Sequence, residues 1–295
     1  MDRIDAMNVF TRIVETRSFT KVASGLGLPR STVTDAIKAL EARLGVSLLH
    51  RTTRVVRPTL DGEAYYQRCV SILSEIDDAE SAFAGATPKG KLRIDVHGVL
   101  ARHFLLPKLP DFLNRYPDIE IHIGEGDRLV DLVREGVDCA VRVGDPVDSD
   151  MTGRKLTELE EVTCAAPAYL ERHGIPNEID ALENHMMIGF RSSANGAIMP
   201  LEFVENGTLR TITLPAPVTV SGADTLGKCA CLGFGIIQRP RYAAAADIKA
   251  GRLVELLKDT PPPPSPVSIF YPRDRYISQR VRVFIDWTVE AFAND

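Results

Sequence analysis

Long apolar runs are missing from this 295-residue sequence, and so is any pattern of paired cysteines. No stretch of eighteen apolar residues occurs, so no membrane-spanning helix is predicted. The first residues, MDRIDAMNVF, lack the apolar centre of a signal peptide. Five cysteines, an odd number, favour reduced thiols over a disulfide framework. These absences together predict a protein that works in the cytoplasm and has no membrane partner.

Motifs of the common catalytic and nucleotide-binding sites are also missing. The sequence has no Walker loop and no G-x-S-x-G nucleophile elbow, and its six histidines are scattered without metal-ligand spacing. Gly227, Gly233 and Gly235 do not fit the spacing of a dinucleotide site. Cys229 and Cys231 stand two residues apart and would point apart on a helix. We therefore predict that the protein is not an enzyme and has no metal or cofactor.

A basic segment of the chain precedes an acidic one. Residues 1–59 hold ten Lys or Arg against five Asp or Glu, a net charge of +5. The remaining residues hold 25 Lys or Arg against 35 Asp or Glu, a net charge of −10. A basic unit on an acidic body predicts that only the first unit meets a polyanion. Chance variation of surface charge is the alternative.

Residues 1–58 have the spacing of a helix-turn-helix unit. Apolar residues recur at helical intervals from Ile4 to Thr16. Ser18 can cap a second helix, and Pro29 separates that helix from a third one. The third helix ends at Gly45, which suits a left-handed cap. Its apolar residues, spaced at helical intervals, are predicted to be buried: Val33, Ile37, Leu40 and Leu44. Such a unit docks its last helix in the major groove of double-stranded DNA.

A hairpin, or wing, is predicted after the third helix, with arginines at positions 51, 54 and 57. The planar guanidinium pairs with phosphate oxygens two at a time. One such arginine alone would be read as a solvated surface charge, but three beside a helix-turn-helix favour DNA. The residues predicted to contact DNA are Ser18, Arg30, Ser31, Thr32, Thr34, Asp35, Lys38, Arg51 and Arg54.

A long helix is predicted from Thr59, followed by a hinge at residues 85–90. The apolar residues Tyr66, Cys69, Leu73 and Ile76 are separated by 3, 4 and 3 positions. This spacing is that of a coiled-coil seam and favours a homodimer, which would match palindromic half-sites in DNA. Burial of the seam against the same chain is the alternative.

Residues beyond the hinge alternate between short apolar runs and helical patterns. Alternation of this kind predicts an α/β body built on parallel sheets with helices on both faces. Ligands bind such sheets at the carboxyl ends of the strands, or in a cleft between two sheets.

The segment SFTKVASGLGLPRSTVTDAIKALEARLGVSLLHRTTRVVRPTLDGEAYY, residues 18–66, resembles the winged helix-turn-helix of LysR-type transcriptional regulators. Further along, DRLVDLVREGVDCAVRVG and TVSGADTLGKCACLGFGIIQRP resemble the effector domain of the same family. The resemblance covers essentially the whole chain. It implies a transcription regulator that binds DNA as a homodimer or homotetramer, contacts RNA polymerase and responds to a small-molecule effector.

The resemblance also implies a fold class: α/β, with an N-terminal all-α winged helix-turn-helix, a long linker helix and a two-subdomain, periplasmic-binding-protein-like effector domain. An effector in the cleft between the subdomains would change the angle between them and thereby the geometry of the DNA. The predicted divisions are a DNA-binding domain at 1–58, a linker helix and hinge at 59–88, subdomain I at 89–164 plus 267–295, and subdomain II at 165–266.

Residues at predicted strand ends are the candidates for effector binding. Arg142 and Arg191 are the strongest candidates, because two cations in a cleft would suit an anionic metabolite. Family members often have Ser or Thr where Gly98 or Val99 stands, which leaves the ligand class open. For each candidate, a loop-capping or surface role is the alternative. The candidates are Gly98, Val99, Leu100, Glu125, Asp127, Arg142, Arg191, Ser192, Ser221 and Asp224.

Two residues of the third helix depart from the family pattern. Asp35 stands where Arg or another polar donor is common, and its carboxylate can accept a hydrogen bond from cytosine N4. Pro29 stands where a Ser or Thr cap is usual, so the first turn is expected to rely on Ser31. We expect an altered site preference and retained DNA binding. A solute-binding protein and an enzyme on an α/β body are the two alternative functions.

Overall fold

The computed structural model describes residues 1–51, 56–84, 87–128, 131–144, 151–193, 195–273 and 277–293. The predicted order of a helical first unit, one long helix and an α/β body is found. Within these ranges, no helix combines the length and the apolar character needed to cross a membrane.

The first unit is a three-helix bundle that ends in an antiparallel hairpin and a long helix. Its elements are α1 (Arg3–Thr16), α2 (Phe19–Leu26), α3 (Arg30–Leu44), β1 (Leu49–Arg51), β2 (Val56–Pro58) and α4 (Leu60–Ala84). The side chain of Ser18 accepts a hydrogen bond of 3.2 Å from the backbone N–H of Lys21 and so caps α2. Gly45 closes α3 in the left-handed conformation, with φ of 73°. Both predicted caps are confirmed.

One apolar core holds the first unit together. Phe10 and Ile13 of α1 pack with Val33 and Ile37 of α3, and all four are fully buried. Burial of a side chain of this size stabilises the fold by about 1.5–3 kcal/mol. Leu44, which we predicted to be buried, is 38% exposed because it lies in the last turn of α3, beyond this core.

The junction between the hairpin and α4 is held by close backbone packing. The side chain of Glu41 accepts hydrogen bonds from the backbone N–H groups of Leu48 and Leu49, at 2.9 and 3.2 Å. The hydroxyl of Thr59 accepts one of 2.9 Å from the N–H of Gly62 and so caps α4. A Cβ atom at Gly62 would lie on the carbonyl oxygen of Leu48 and 2.9 Å from its carbonyl carbon. Only glycine therefore fits at position 62.

The first half of the predicted coiled-coil seam is buried inside the chain. Tyr66 and Cys69 belong to the core of the first unit, and the Tyr66 hydroxyl donates a hydrogen bond of 3.1 Å to Glu15. Leu73 and Ile76, further along α4, are half-buried. The alternative of burial against the same chain holds for the first two positions, and a dimer contact stays a prediction for the others.

The body begins with a mixed sheet that forms subdomain I. Its first elements are β3 (Gly90–Val96), α5 (Gly98–Leu100), a π-helix (Ala101–Leu105), α6 (Leu109–Arg115), β4 (Ile119–Glu125), α7 (Leu132–Glu135), β5 (Cys139–Val143) and β6 (Met151–Leu159). The chain then leaves this sheet and returns to it at the end.

The middle of the chain forms subdomain II. Its elements are β7 (Glu161–Ala165), α8 (Pro167–His173), a 3₁₀-helix (Ile179–Asn184), β8 (Ile188–Phe190), β9 (Leu201–Glu205), β10 (Thr208–Ile212), β11 (Val218–Val220), α9 (Ala223–Cys231), β12 (Ile237–Pro240), α10 (Arg241–Lys249) and β13 (Val254–Leu256). The last two elements, β14 (Ser265–Pro272) and α11 (Gln279–Ala293), return to subdomain I.

The strand pairing is only partly parallel. The sheet of subdomain I has the order β4-β3-β5-β14-β6, in which β3 is parallel to both β4 and β5 and β14 is antiparallel to both of its neighbours. In subdomain II, β7 lies between β12 and β13 and is antiparallel to both, whereas β8 and β11 are parallel. The prediction of wholly parallel sheets is wrong, because the returning strand β14 and strand β7 both pair in the antiparallel direction.

The crossovers lie earlier than the predicted breaks at 164/165 and 266/267. The whole of β7 pairs within subdomain II, and the whole of β14 pairs within subdomain I. The first crossover is therefore at Glu160, and the second precedes Ser265. Only one residue separates β6 from β7, so no turn pattern in the sequence marks the first crossover.

Candidate nucleic-acid interface and ligand cavity

Helix α3 presents most of its predicted contact residues to solvent. Arg30, Ser31, Asp35 and Lys38 are exposed, and Thr32 and Thr34 are half-buried. The Thr34 hydroxyl donates a hydrogen bond of 2.9 Å to the backbone oxygen of Arg30. Its methyl group and its oxygen lone pairs remain for a partner, and a methyl group suits the C5-methyl of thymine.

The starts of α2 and α3 differ in how their backbone donors are satisfied. The Ser18 oxygen is used to cap α2, so only its hydroxyl hydrogen remains for a phosphate. Pro29 precedes α3 and gives no side-chain cap. In the described part of the chain, the Ser31 hydroxyl forms no hydrogen bond either, so the expectation that Ser31 replaces the cap is wrong. The first turn of α3 therefore keeps free backbone N–H groups, which favour a phosphate.

The wing is present as the hairpin of β1 and β2. Its register places His50 opposite Arg57, and Arg57 is exposed. Arg54 lies outside the described residues, and the side chain of Arg51 lies outside them too. The predicted contacts of these two arginines with DNA therefore stay predictions.

A cavity of about 560 Å³ lies between the two subdomains. It is bordered by the segment after β3, by β5 and by β14 on one side, and by β8, α9 and β12 on the other. This is the predicted place for a ligand, at the strand ends between two sheets. Four of the ten candidates line it: Val99, Asp127, Arg142 and Ser192.

Six candidates do not line the cavity. Leu100 is wholly buried in the core of subdomain I. Arg191 is exposed and donates a hydrogen bond of 2.6 Å to the backbone oxygen of Gly196. The predicted pair of Arg142 and Arg191 is therefore wrong, because only Arg142 faces the cavity. The remaining four residues outside the lining are Gly98, Glu125, Ser221 and Asp224.

Two of those four residues take part in a polar bridge between the subdomains. Arg102 of the π-helix pairs with Glu125 at 2.9 Å and also with Asp224, at the start of α9. Asp127 contributes a second link, because it accepts a hydrogen bond of 3.1 Å from the backbone N–H of Ala223. These contacts hold the start of α9 against subdomain I.

The cavity wall contains ionisable groups whose pKa values are displaced. Burial alone would raise the pKa of Asp127. The hydrogen bonds from His97, at 2.7 Å, and from Ala223 outweigh burial, so the pKa of Asp127 lies below its usual value. Burial lowers the pKa of Arg142 to about 10, so Arg142 remains charged at neutral pH. Burial raises the pKa of Glu161 to about 7, against the opposing effects of Ser265 and Arg239.

Sequence reasoning missed several polar residues of this wall. His97, Glu161, Gln238, Arg239 and Tyr242 all line the cavity. One signal was available: the dipeptide Gln238-Arg239 interrupts an apolar strand pattern, and polar residues inside a buried strand need partners. His97 directly follows β3 and precedes the candidates Gly98 and Val99, so the strand-end signal applied to it as well. Glu161 and Tyr242 could not be found, because their position depends on pairing β7 with β12.

An exposed helix-turn-helix edge joined to an α/β body with an internal cavity defines a ligand-responsive DNA-binding regulator. Comparison with known proteins agrees with this class. The profile of the bacterial regulatory helix-turn-helix protein, lysR family, matches residues 4–63, and that of the LysR substrate binding domain matches residues 85–293. The chain belongs to the LysR family of transcriptional regulators.

Individual relatives match over nearly their whole length. The HTH-type transcriptional regulator YhjC of Escherichia coli (strain K12) is 35% identical over 289 residues, which are 97% of each chain. An HTH-type transcriptional repressor of Pseudomonas aeruginosa is also 35% identical, over 100% of this chain and 94% of its own. The solved structure of CrgA, a LysR-type regulator from Neisseria meningitidis, is 30% identical with a TM-score of 0.61, over 98% of this chain and 99% of that chain.

The family assignment confirms the predicted fold class and the predicted function. The chain is a LysR-type transcription regulator with a DNA-binding domain and an effector-binding domain. The alternatives of an enzyme and a solute-binding protein are set aside, because the relatives above are named transcription regulators.

Proposed function

We propose that this regulator reads DNA with the first half of α3 and clamps the phosphates with its wing. Arg30, Ser31 and Thr34 reach bases or the backbone from α3, and Arg51 and Arg54 pair with phosphates. The exposed edge of α3 supports this assignment, because guanidinium and hydroxyl groups there are free of the protein core.

The regulator works in the cytoplasm as a homodimer or homotetramer and contacts RNA polymerase. The half-buried residues Leu73 and Ile76 on α4 support self-association, because their apolar spacing continues beyond the core of the first unit. A twofold dimer presents two copies of α3 to two half-sites of a palindrome.

A small molecule in the cavity controls the angle between the subdomains. The bridge from Arg102 to Asp224 supports this role, because it spans the two subdomains beside the cavity. Surface ion pairs of this kind contribute about 0–1 kcal/mol each. An effector that binds one subdomain angle more tightly can therefore shift the balance.

Strand β3 connects the cavity to the DNA-binding unit within one chain. Near its start, Lys91 pairs with Glu15 of α1 at 3.1 Å, and Arg93 donates a hydrogen bond of 2.8 Å to Gln67 of α4. Just after its end, His97 lines the cavity. A shift of β3 upon ligand binding would thus reach both α1 and α4.

The observation that carries this function is the presence, in one chain, of an exposed recognition helix and an inter-subdomain cavity. The test begins with genomic localisation of the protein, followed by titration of the recovered duplex at several salt concentrations. We expect the logarithm of affinity to fall steeply and linearly with the logarithm of salt concentration. A flat dependence, with no protected palindrome, would contradict DNA regulation.

Arg54→Ala tests the wing in the same titration. It should weaken binding to all duplexes and reduce the salt slope by about 1, the effect of losing one phosphate contact. Lys249→Ala, at an exposed position on α10, is the matched control. An Arg54→Ala slope equal to that of the control would exclude a phosphate contact at position 54.

A further inference from the structure

Three buried side-chain nitrogens lack a hydrogen-bond partner in the described part of the chain. They are Nδ1 of His97, Nε of Arg142 and Nε of Arg239. Buried polar atoms are nearly always paired, and an unpaired buried donor lowers the stability of the fold. All three residues line the same cavity between the subdomains. The two arginine Nε atoms are donors, so their coincidence in one place indicates a ligand that supplies hydrogen-bond acceptors.

Of these three residues, Arg239 gives the strongest indication of a bound ligand. It lies on β12, is only 8% exposed, and its guanidinium forms no hydrogen bond or salt bridge with any residue that the structure describes. The guanidinium lies close to the backbone of α9, because a Cβ atom built at Gly227 would come within 2.8 Å of its Cζ atom. The acid that influences it is Glu161, whose pKa of about 7 leaves it half protonated at neutral pH. Arg239 is thus a positioned cation without a full counter-charge.

Arg142 approaches the cavity from the other subdomain. It lies on β5, pairs with Asp95, and donates a hydrogen bond of 3.0 Å to the backbone oxygen of Val141. These partners leave its Nε–H unused. The cavity therefore has one buried arginine on each side, and an anion between them would favour the closed arrangement of the subdomains.

The rest of the wall limits the kind of anion. Glu161, Glu202 and Asp127 also line the cavity, so a multiply charged phosphate would meet three carboxyl groups. Most other lining side chains are apolar. They include Val99, Leu132, Met151, Ile188, Phe190, Met199, Leu226 and Phe270. A single negative charge on an apolar body fits both features.

We propose that the effector is a monocarboxylate with an aliphatic or aromatic body, whose carboxylate pairs with Arg239 and draws Arg142 in from the opposite subdomain. This assignment rests on the proposed function of the cavity as the effector site. A volume of about 560 Å³ is ample for such an acid.

The first test measures thermal stabilisation and binding heat of the full-length protein with matched pairs of probes. The acids are benzoate, phenylacetate, cinnamate, hexanoate and octanoate, each paired with its primary amide, and phenyl phosphate is added as a second anion. We expect at least one acid to raise Tm by roughly 5 °C near saturation, with little effect of its amide. Equal effects of acid and amide, a stronger effect of phenyl phosphate, or no effect of any acid would overturn the proposal.

Two variants test the role of Arg239. Arg239→Met removes the charge and should weaken binding of the responding acid at least about tenfold. Gly227→Ala keeps the charge but displaces the guanidinium, and should weaken the same acid without altering the affinity for neutral probes. Arg134→Met, at an exposed position on α7, is the matched control and should bind as wild type does.

A measurement without ligand makes the test independent of the choice of probes. Because no residue that the structure describes pairs with Arg239, Arg239→Met should raise the Tm of the ligand-free protein, as replacement of a buried unpaired charge by an apolar side chain does. A lower Tm would mean that Arg239 has a partner in the chain, and the proposal would fail.

Failure of the carboxylate can be told apart from failure of the regulator. Wild-type protein without any acid is titrated with its genomic duplex in parallel. Salt-dependent DNA binding together with no selective carboxylate binding overturns the ligand class alone. Absence of DNA binding overturns the proposed function itself.

Discussion

Glu161 provides a test of how burial controls the protonation of a carboxyl group in the cavity wall. Its carboxyl group faces Ser265, Arg239, Glu202 and Tyr242. Burial is the largest effect on its pKa, which rises from 4.5 to about 7. The folded protein therefore holds this proton more tightly than the unfolded chain does. The resulting stability is fully present below pH 4.5 and is lost as pH rises through about 7.

The size of this loss follows from the displacement of the pKa. Each pKa unit corresponds to about 1.36 kcal/mol, so the wild-type protein loses roughly 3 kcal/mol of unfolding free energy across the window. Glutamine resembles the protonated carboxyl group and does not titrate. The unfolding free energy of Glu161→Gln should therefore exceed that of the wild type by less than about 1 kcal/mol at pH 5, and by as much as roughly 3 kcal/mol at pH 8.

Urea unfolding at pH 5, 6, 7 and 8 measures the difference. Glu160→Gln is the matched control, because Glu160 is the preceding residue and its side chain is 78% exposed beside Arg241. The unfolding free energy of this control should differ from that of the wild type by less than about 1 kcal/mol at every pH. If the gain of Glu161→Gln did not grow between pH 5 and pH 8, burial would not be what controls the Glu161 carboxyl group.

Two further predictions concern the DNA-binding unit. Gly62→Ala should destabilise the protein by about 1–3 kcal/mol in urea unfolding, because the new methyl group meets the backbone of Leu48. Gly25→Ala, on α2 with open space around it, should instead be neutral or stabilising by up to about 1 kcal/mol, and equal effects of the two would refute the packing argument. Thr34→Ala, which removes both the methyl group and the hydroxyl, should change the order of preference across a library of operator variants, and unchanged relative affinities would exclude base readout at Thr34.

The DNA-binding unit could be predicted from sequence because its determinants are local. Ser18 caps α2 from within three residues, and Gly45 ends α3 where the apolar spacing stops. Even so, Leu44 and the start of the α4 seam were misjudged. Their burial depends on which other helix lies nearby, and helical periodicity does not report that.

The body was less predictable because its strands pair over long sequence distances. Strand β6, of sequence MTGRKLTEL, has no alternating apolar pattern, and it forms only because β14 lies beside it more than a hundred residues later. The hairpin of β9 and β10 and the helix α10 were likewise not predicted. The ligand cavity depends on these pairings, so only four of its lining residues were found in advance.

The departures from ordinary packing rules are concentrated where the sequence was least informative. In the DNA-binding unit, buried side chains are apolar and helix starts are capped by Asp2, Ser18 and Thr59. In the cavity wall, arginines are buried with unused donors, which lowers the stability of the empty protein. A chain under selection for stability alone would replace Arg239 with an apolar residue. The presence of Arg239 is therefore best explained by binding of an effector in the cavity. The difference in ligand-free Tm between Arg239→Met and the wild type measures how much Arg239 lowers the stability of the protein.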